Sequence, residues 1–362
     1  VQLPCSGIRQ PYSFVSNRQT VPSLAMATHF RGLCCFLAAW AVLALPPNTE
    51  CDAAYLLQRR HPISPPACAE PAGKPAVGIF LVGLKKRLIF NSTLERLFRP
   101  LVSEGFAVHL YASLVYNASG GSSKPNKWIR RRQVEDPAIA NLSLAAFRDH
   151  IVAQVVSVGA CPVVVEVPER PLDVPELPEN PTQMMRLRAK MPNCFHNIFE
   201  RWMRRERLWN TSMGIQRRLK ISYDLLVIAK DDSFFAADVR APKAWAFAPD
   251  AGRTVWGVAQ PGGKEIRDKT IVFGLEAAPA MLTLFSSWAR GGFPDHPATG
   301  TESFILQAIL HAGLKLVMVP HESLPEADCM LEGNTTHVSL CLIDGGLERK
   351  LVGPSPPAPF CR

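Results

Sequence analysis

From residue 76 onward the apolar positions switch repeatedly between two periods, and that switching predicts the architecture. Residues 76–82 form an unbroken apolar run closed by Gly83, the pattern of a strand covered on both faces. Residues 92–104 set Leu94, Leu97 and Leu101 at near-helical spacing, and 106–114 return to a strand-like run. Strand, helix and strand in that order point to an α/β domain with a mixed, mostly parallel sheet flanked by helices. A helix over 142–156 and a Val-rich strand over 162–167 continue the alternation. Further strands are predicted over 254–258, 269–273 and 315–319, with helices over 277–289 and 301–311. Gly313 stands where a glycine that ends a helix belongs.

The longest periodic stretch covers 194–220. Phe195, Ile198, Phe199, Trp202, Trp209 and Met213 fall on one stripe, which predicts a core-facing helix side. Arg201, Arg204, Arg205 and Arg207 fall mostly on the other side and are expected in solvent, with a phosphate contact for one of them as the competing use. Directly afterwards, 223–229 reads as a buried strand that ends in Lys230-Asp231-Asp232-Ser233.

Composition changes the picture only at the level of class and compartment. The 362 residues are 47% hydrophobic and 20% charged, which excludes disorder throughout. The net charge of +9 is dispersed among acids and comes with no zinc-knuckle, RNP-like or basic-region pattern, so no nucleic-acid partner is expected. Near the N-terminus, Met26 and Arg31 precede an apolar run over 32–45, long enough for a signal-peptide core and short of the ~20 residues that cross a bilayer. Three readings stand there: a cleaved signal, a short anchor making a type II membrane protein, or a core helix over 33–45. The organisation expected is a gene-model extension or leader over 1–25, a signal segment over 26–50 and a Pro-rich stalk over 51–73. A single lumenal domain over 74–353 and a frayed tail over 354–362 complete it.

Five of the eleven asparagines begin Asn-x-Ser/Thr: Asn91, Asn117, Asn141, Asn210 and Asn334. Chance would supply about one, so the excess favours a glycosylated protein of the Golgi or endoplasmic reticulum lumen. Seven cysteines lie beyond the apolar run, an odd number, with Cys329 and Cys341 as a plausible local bridge.

The candidate chemistry begins with position. Acids at the carboxyl end of a buried parallel strand sit where open α/β sheets bind ligands, and Asp231 and Asp232 occupy that place. A Mn²⁺ or Mg²⁺ ion needs only one or two protein carboxylates when a diphosphate supplies further oxygens. The competing assignment is that these acids cap the next turn or pair with Lys230.

The stretch from Phe195 to Phe235, running into "ISYDLLVIAKDDSFF", resembles a family of glycosyltransferase-like secretory-pathway proteins of the GT-A type. The opening "VGIFLVGLKKR", the later "IRDKTIVFG" and "TESFILQAILHAGLKL" match in order, spanning roughly 76–320. The resemblance implies a single Rossmann-like domain that uses a nucleotide-sugar donor and a glycan or glycoconjugate acceptor. It places Lys230, Asp231 and Asp232 at the cofactor-binding position, with Asp232 and Asp231 as metal ligands. It makes Asp268 a candidate for substrate or acceptor binding and Glu302 a candidate general base, which at a helix start is also a capping acid. Lys230 stands where Arg is commoner in that family, and no strict Asp-x-Asp is present, which leaves an inactive lumenal binding or scaffold protein as the alternative. Absent G-x-G-x-x-G, G-x-S-x-G and H-E-x-x-H patterns remove the best markers of other enzyme classes.

Overall fold

A computed structural model describes residues 73–117, 136–174, 195–240, 242–259, 265–290, 301–331, 338–343 and 346–351. The signal segment, most of the stalk, the 120–127 loop with Arg130–Arg132, the Gly262-Gly263 loop, Asn334 and the tail lie outside these residues. Among the described residues no helix is long and apolar enough to cross a membrane.

The described part from residue 73 is built on a seven-stranded sheet of order β3-β2-β1-β4-β7-β6-β8. Its strands are β1 (Ala76–Leu84), β2 (Ala107–Val115), β3 (Cys161–Glu166), β4 (Leu225–Lys230), β6 (Thr254–Ala259), β7 (Ile266–Phe273) and β8 (Lys315–Val319). Pairings β1–β2, β1–β4, β2–β3 and β6–β8 are parallel, and β7 alone runs against its neighbours. The fold class is therefore α/β with a mixed, mostly parallel sheet, as the alternation predicts. A second sheet of order β11-β10-β9-β5 joins the short β5 (Ser233–Phe235) to β9 (Glu326–Leu331), β10 (Val338–Ile343) and β11 (Gly346–Leu351). The apolar pattern predicts no element after 319. The register of β9 and β10 sets Cys341 opposite Cys329.

Helices cover both faces, which is why the central strands read as unbroken apolar runs. Alternate residues of β1 diverge: Phe80 and Val82 join a core with Phe199, Trp202 and Trp209, whereas Ile79 and Leu81 join Leu97, Phe98 and Phe147. The second core holds α1, made of Phe90–Thr93, a π-helical turn over Leu94–Phe98 and Arg99–Ser103, together with α2 (Leu144–Ser157). The Ser143 hydroxyl caps α2 by accepting from the Ala146 N–H.

The first core holds α3 (Phe195–Leu219) and α4 (Thr301–His311). Trp202 of α3 stacks on Phe304 of α4 at 5.0 Å, and Phe199 meets Trp288 at the same separation. Contacts of this kind add about 1 kcal/mol each beyond area burial. The helix read over 277–289 is two pieces, Ala278–Leu282 and Leu284–Ala289. Thr283 breaks it, its hydroxyl bonding back to the Pro279 carbonyl at 2.6 Å. Gly313 takes the left-handed conformation after α4, with φ 61°, as its position predicts.

Under the first core runs a buried polar chain: His109 Nδ1 lies 2.9 Å from the Tyr223 hydroxyl, which lies 2.8 Å from that of Tyr111. Burial lowers the His109 pKa from 6.5 to about 4. Above pH 6.5 the ring is neutral folded or unfolded and costs nothing. As pH falls from 6.5 toward 4 the unfolded chain takes up a proton that the folded chain refuses, so stability falls by about 3 kcal/mol across that window. Urea unfolding at pH 7 and pH 4.5 should show this loss, and His109→Gln should show a smaller one. Equal losses in the two proteins would remove His109 as the cause.

Candidate functional site

Two strands end together at the carboxyl edge of the sheet, β1 at Gly83-Leu84 and β4 at Lys230-Asp231. Asp231 turns inward. The Leu84 N–H donates to its Oδ2 at 2.7 Å, and Arg87 grips it with Nε on Oδ2 at 2.9 Å and Nη2 on Oδ1 at 2.7 Å. The Asp231 carbonyl accepts from the Ile89 N–H as well. A β-carbon at Gly83 would lie 2.1 Å from the Asp231 side chain, so only glycine lets the carboxylate reach the Leu84 N–H.

From the helix side, α3 supplies Arg204, which is 1% exposed. It donates to the Gly83 carbonyl at 3.1 Å, the Ser113 carbonyl at 2.6 Å and Glu200 Oε2 at 2.8 Å. The expectation that Arg204 and Arg205 face solvent is overturned, because both are buried, while Met213 of the supposed core stripe is 37% exposed. The physical reason is that α3 lies in a trough between the strand ends and the other helices, so more than one stripe is covered. A single-stripe reading finds the apolar side and misses buried polar groups on its flank.

The other charges pair across β4 and β7. Lys269 donates to Asp232 Oδ1 at 2.9 Å, with Arg87 3.6 Å from the same carboxylate, and Lys230 donates to Asp268 Oδ2 at 2.7 Å. Burial alone would raise both carboxyl groups. The charges of Lys269, Arg87 and Lys230 outweigh it and hold Asp232 well below its ordinary value, while Lys230, Lys269 and Arg201 hold Asp268 at about 2. Burial lowers Lys230, opposed by Asp268. Glu302, in the first turn of α4, is shifted the other way: burial and then the charge of Asp268 raise its pKa.

A narrow cleft opens among these groups. Arg201 and Arg205 of α3, Lys230 of β4, Asp268 of β7, and Thr301 and Ile305 of α4 line it, with Trp202 beside them. Its free space admits about one water-sized group. The structure thus brings Lys230, Asp268 and the start of α4 to one cleft, keeps Asp232 at its neighbouring ion pair, and removes Asp231 to a structural clamp. Arg201 and Arg205 are cleft residues that the helical periodicity alone places on a solvated face. Their signal was the excess of arginine on a helix otherwise rich in Trp.

The donor set does not fit a divalent cation. Such an ion needs several oxygen ligands that are not already neutralised by side-chain cations. Asp231 is fully taken by Arg87 and the Leu84 N–H, and Asp232, 19% exposed, has two cations against it. Among the described residues no group of three or more His, Cys, Asp or Glu side chains is placed to hold a metal.

No protein-family model matches the sequence, and no curated protein matches it. Among solved structures, the glycosyltransferase GlyE of Streptococcus pneumoniae TIGR4 is similar over 69% of this chain at 10% identity with a TM-score of 0.31. The similarity covers 46% of that protein, and a score this low bears on neither fold nor function.

The clamp makes a stability prediction. Asp231→Asn keeps the shape and removes the charge that Arg87 and the Leu84 N–H address, so it should cost about 2–4 kcal/mol in denaturant unfolding. A loss below about 0.5 kcal/mol would mean that Asp231 is not a structural strut.

Proposed function

We propose that this chain is a glycosyltransferase that moves a sugar from a nucleotide-sugar donor to an acceptor hydroxyl at the carboxyl edge of its sheet. One observation carries the reading. A buried cation, Lys230, and an acid with raised proton affinity, Glu302, belong to one charged cluster around Asp268 at the cleft, where α/β sheets bind ligands. Opposite shifts in neighbouring carboxyl groups divide the labour: Asp268 stays anionic while Glu302 gains affinity for a proton. The resemblance of the 195–235 segment to GT-A-type proteins supports the same assignment.

In the reaction, the acceptor oxygen attacks the anomeric carbon as its proton passes to a Glu302 carboxylate oxygen. The bond from that carbon to the donor phosphate breaks, and its electron pair leaves with the nucleoside diphosphate. Lys230 meets the added negative charge, and Asp268 orients Lys230. No step here runs through a metal ion, because the carboxylates at the edge are already engaged by cations.

A second reading, an inactive lumenal binding protein with the same fold, is favoured by the full pairing of Asp231 and Asp232. Turnover separates the two. The full chain, given a panel of nucleotide-sugars, should release nucleoside diphosphate, and Glu302→Gln should lower the rate by at least about a hundredfold with donor affinity unchanged. Release from no donor would favour the inactive protein; an unaffected Glu302→Gln rate would remove Glu302 from the chemistry.

The lumenal assignment has separate support. Asn91, Asn117, Asn141 and Asn210 are all exposed, as glycan acceptors must be. The chain expressed in a eukaryotic cell should drop in apparent mass on N-glycosidase treatment, and Asn→Gln at these four sites should remove most of the drop. A band that does not move would rule the lumen out.

A further inference from the structure

We propose that Arg205, with Arg201 and Lys230, forms an oxyanion site that binds the diphosphate of the donor without a divalent cation. The inference rests on the transferase reading above and names how that site holds its ligand's charge. Arg205 is 5% exposed and lines the cleft, yet among the described residues it makes no hydrogen bond or ion pair, and its Nε has no partner. A guanidinium carries five donors and is costly to bury without an acceptor. Its neighbour on α3, Arg204, shows what a structural arginine looks like here, with two carbonyls and a carboxylate around it.

The lining carboxylate does not serve Arg205: Asp268 is already bonded to Lys230 and acts on Arg205 by charge alone, without a hydrogen bond. Burial, and then the charge of Arg201, lower Arg205 to about 10, so it remains a cation at neutral pH. The first turn of α4 begins at Thr301 on the cleft wall, adding the positive end of an eleven-residue helix. Space for about one water-sized group suits one phosphoryl oxygen reaching Arg205, with the remainder of the ligand at the mouth beside Arg201. A planar guanidinium can donate two N–H groups to such an oxygen from its fixed fork, a geometry a lysine does not reproduce. Where a metal ion would have neutralised the diphosphate, fixed side-chain charges do so.

Calorimetric titration of inorganic pyrophosphate into the full chain in EDTA tests this. Binding is expected, and Arg205→Met should weaken it by about tenfold or more, with Arg205→Lys recovering part. Because the buried guanidinium has no hydrogen bond to lose, Arg205→Met should leave the thermal midpoint unchanged or higher, which a structural arginine would not. Arg201→Gln, at a partly buried position, should weaken binding in the same direction, and it decides alone if Arg205→Met does not fold. Binding only when Mn²⁺ is added, or binding undiminished in both variants, overturns the site. Failure of the two proposals is distinguishable. Metal-free pyrophosphate binding without turnover of any donor upholds the oxyanion site and sinks the transferase. Mn²⁺-dependent turnover untouched by Arg205→Met does the reverse.

Discussion

Two buried charges meet the main chain of β1 within one peptide unit. Arg204 reaches the Gly83 carbonyl from the helix layer, and Asp231 accepts the Leu84 N–H from the neighbouring strand end. Taking each ion out of water costs several kcal/mol, and only multiple charge-assisted bonds offset such a cost. Both ions have them: three acceptors around Arg204, and three donor groups of Leu84 and Arg87 on Asp231. The result is that α3, β1, β2 and β4 are joined at the carboxyl edge by directional bonds rather than by apolar contact alone. Gly83 is the condition for it, since any side chain there would occupy the space of the Asp231 carboxylate.

That joint determines what the rest of the edge can do. With Asp231 committed, Arg87 is held close enough to touch Asp232 too, and Asp232 is further neutralised by Lys269. One strand over, Lys230 and Asp268 form their own pair. Asp232 and Asp268 are therefore anionic and engaged, and burial, which would otherwise raise their proton affinity, loses to nearby cations. Glu302 is the exception: there burial wins, and the charge of Asp268 reinforces it. Acid–base capacity is thus concentrated at the start of α4, and anion-binding capacity at the arginines of α3.

The apolar framework was readable because its physics is local and periodic. The runs that gave β1, β2 and β4, the spacing of Leu94, Leu97 and Leu101, and the glycine after α4 all depend on neighbours in the chain. The polar half was not readable for the opposite reason. Whether Asp231 binds a ligand or a backbone amide depends on Gly83 and Leu84, nearly 150 positions away, and no spacing rule reports that. The same holds for Arg204, whose acceptors come from two other strands. The direction of β7, antiparallel within the seven-stranded sheet, was likewise invisible in its composition, since the apolar run of a buried strand is the same in either direction. Yet β7 is what carries Asp268 and Lys269 back to the end of β4.

Arg204 and Arg205 are adjacent, chemically identical and both buried, so composition and exposure cannot distinguish them. Partners can. A helical step of about 100° turns Arg204 toward the strand ends, where carbonyls await it, and turns Arg205 toward the cleft, where none does. An arginine already bonded to two carbonyls and a carboxylate gains little from a ligand, because binding one would first break bonds it already has. An arginine buried without acceptors is in the opposite position: its desolvation is a standing penalty in the free protein, relieved when an oxyanion arrives. That difference in the unbound state is what makes an interaction available for binding rather than for folding. By that measure the cleft wall of α3, and not the carboxylate pair at the end of β4, is where this fold keeps unspent capacity for a charged ligand.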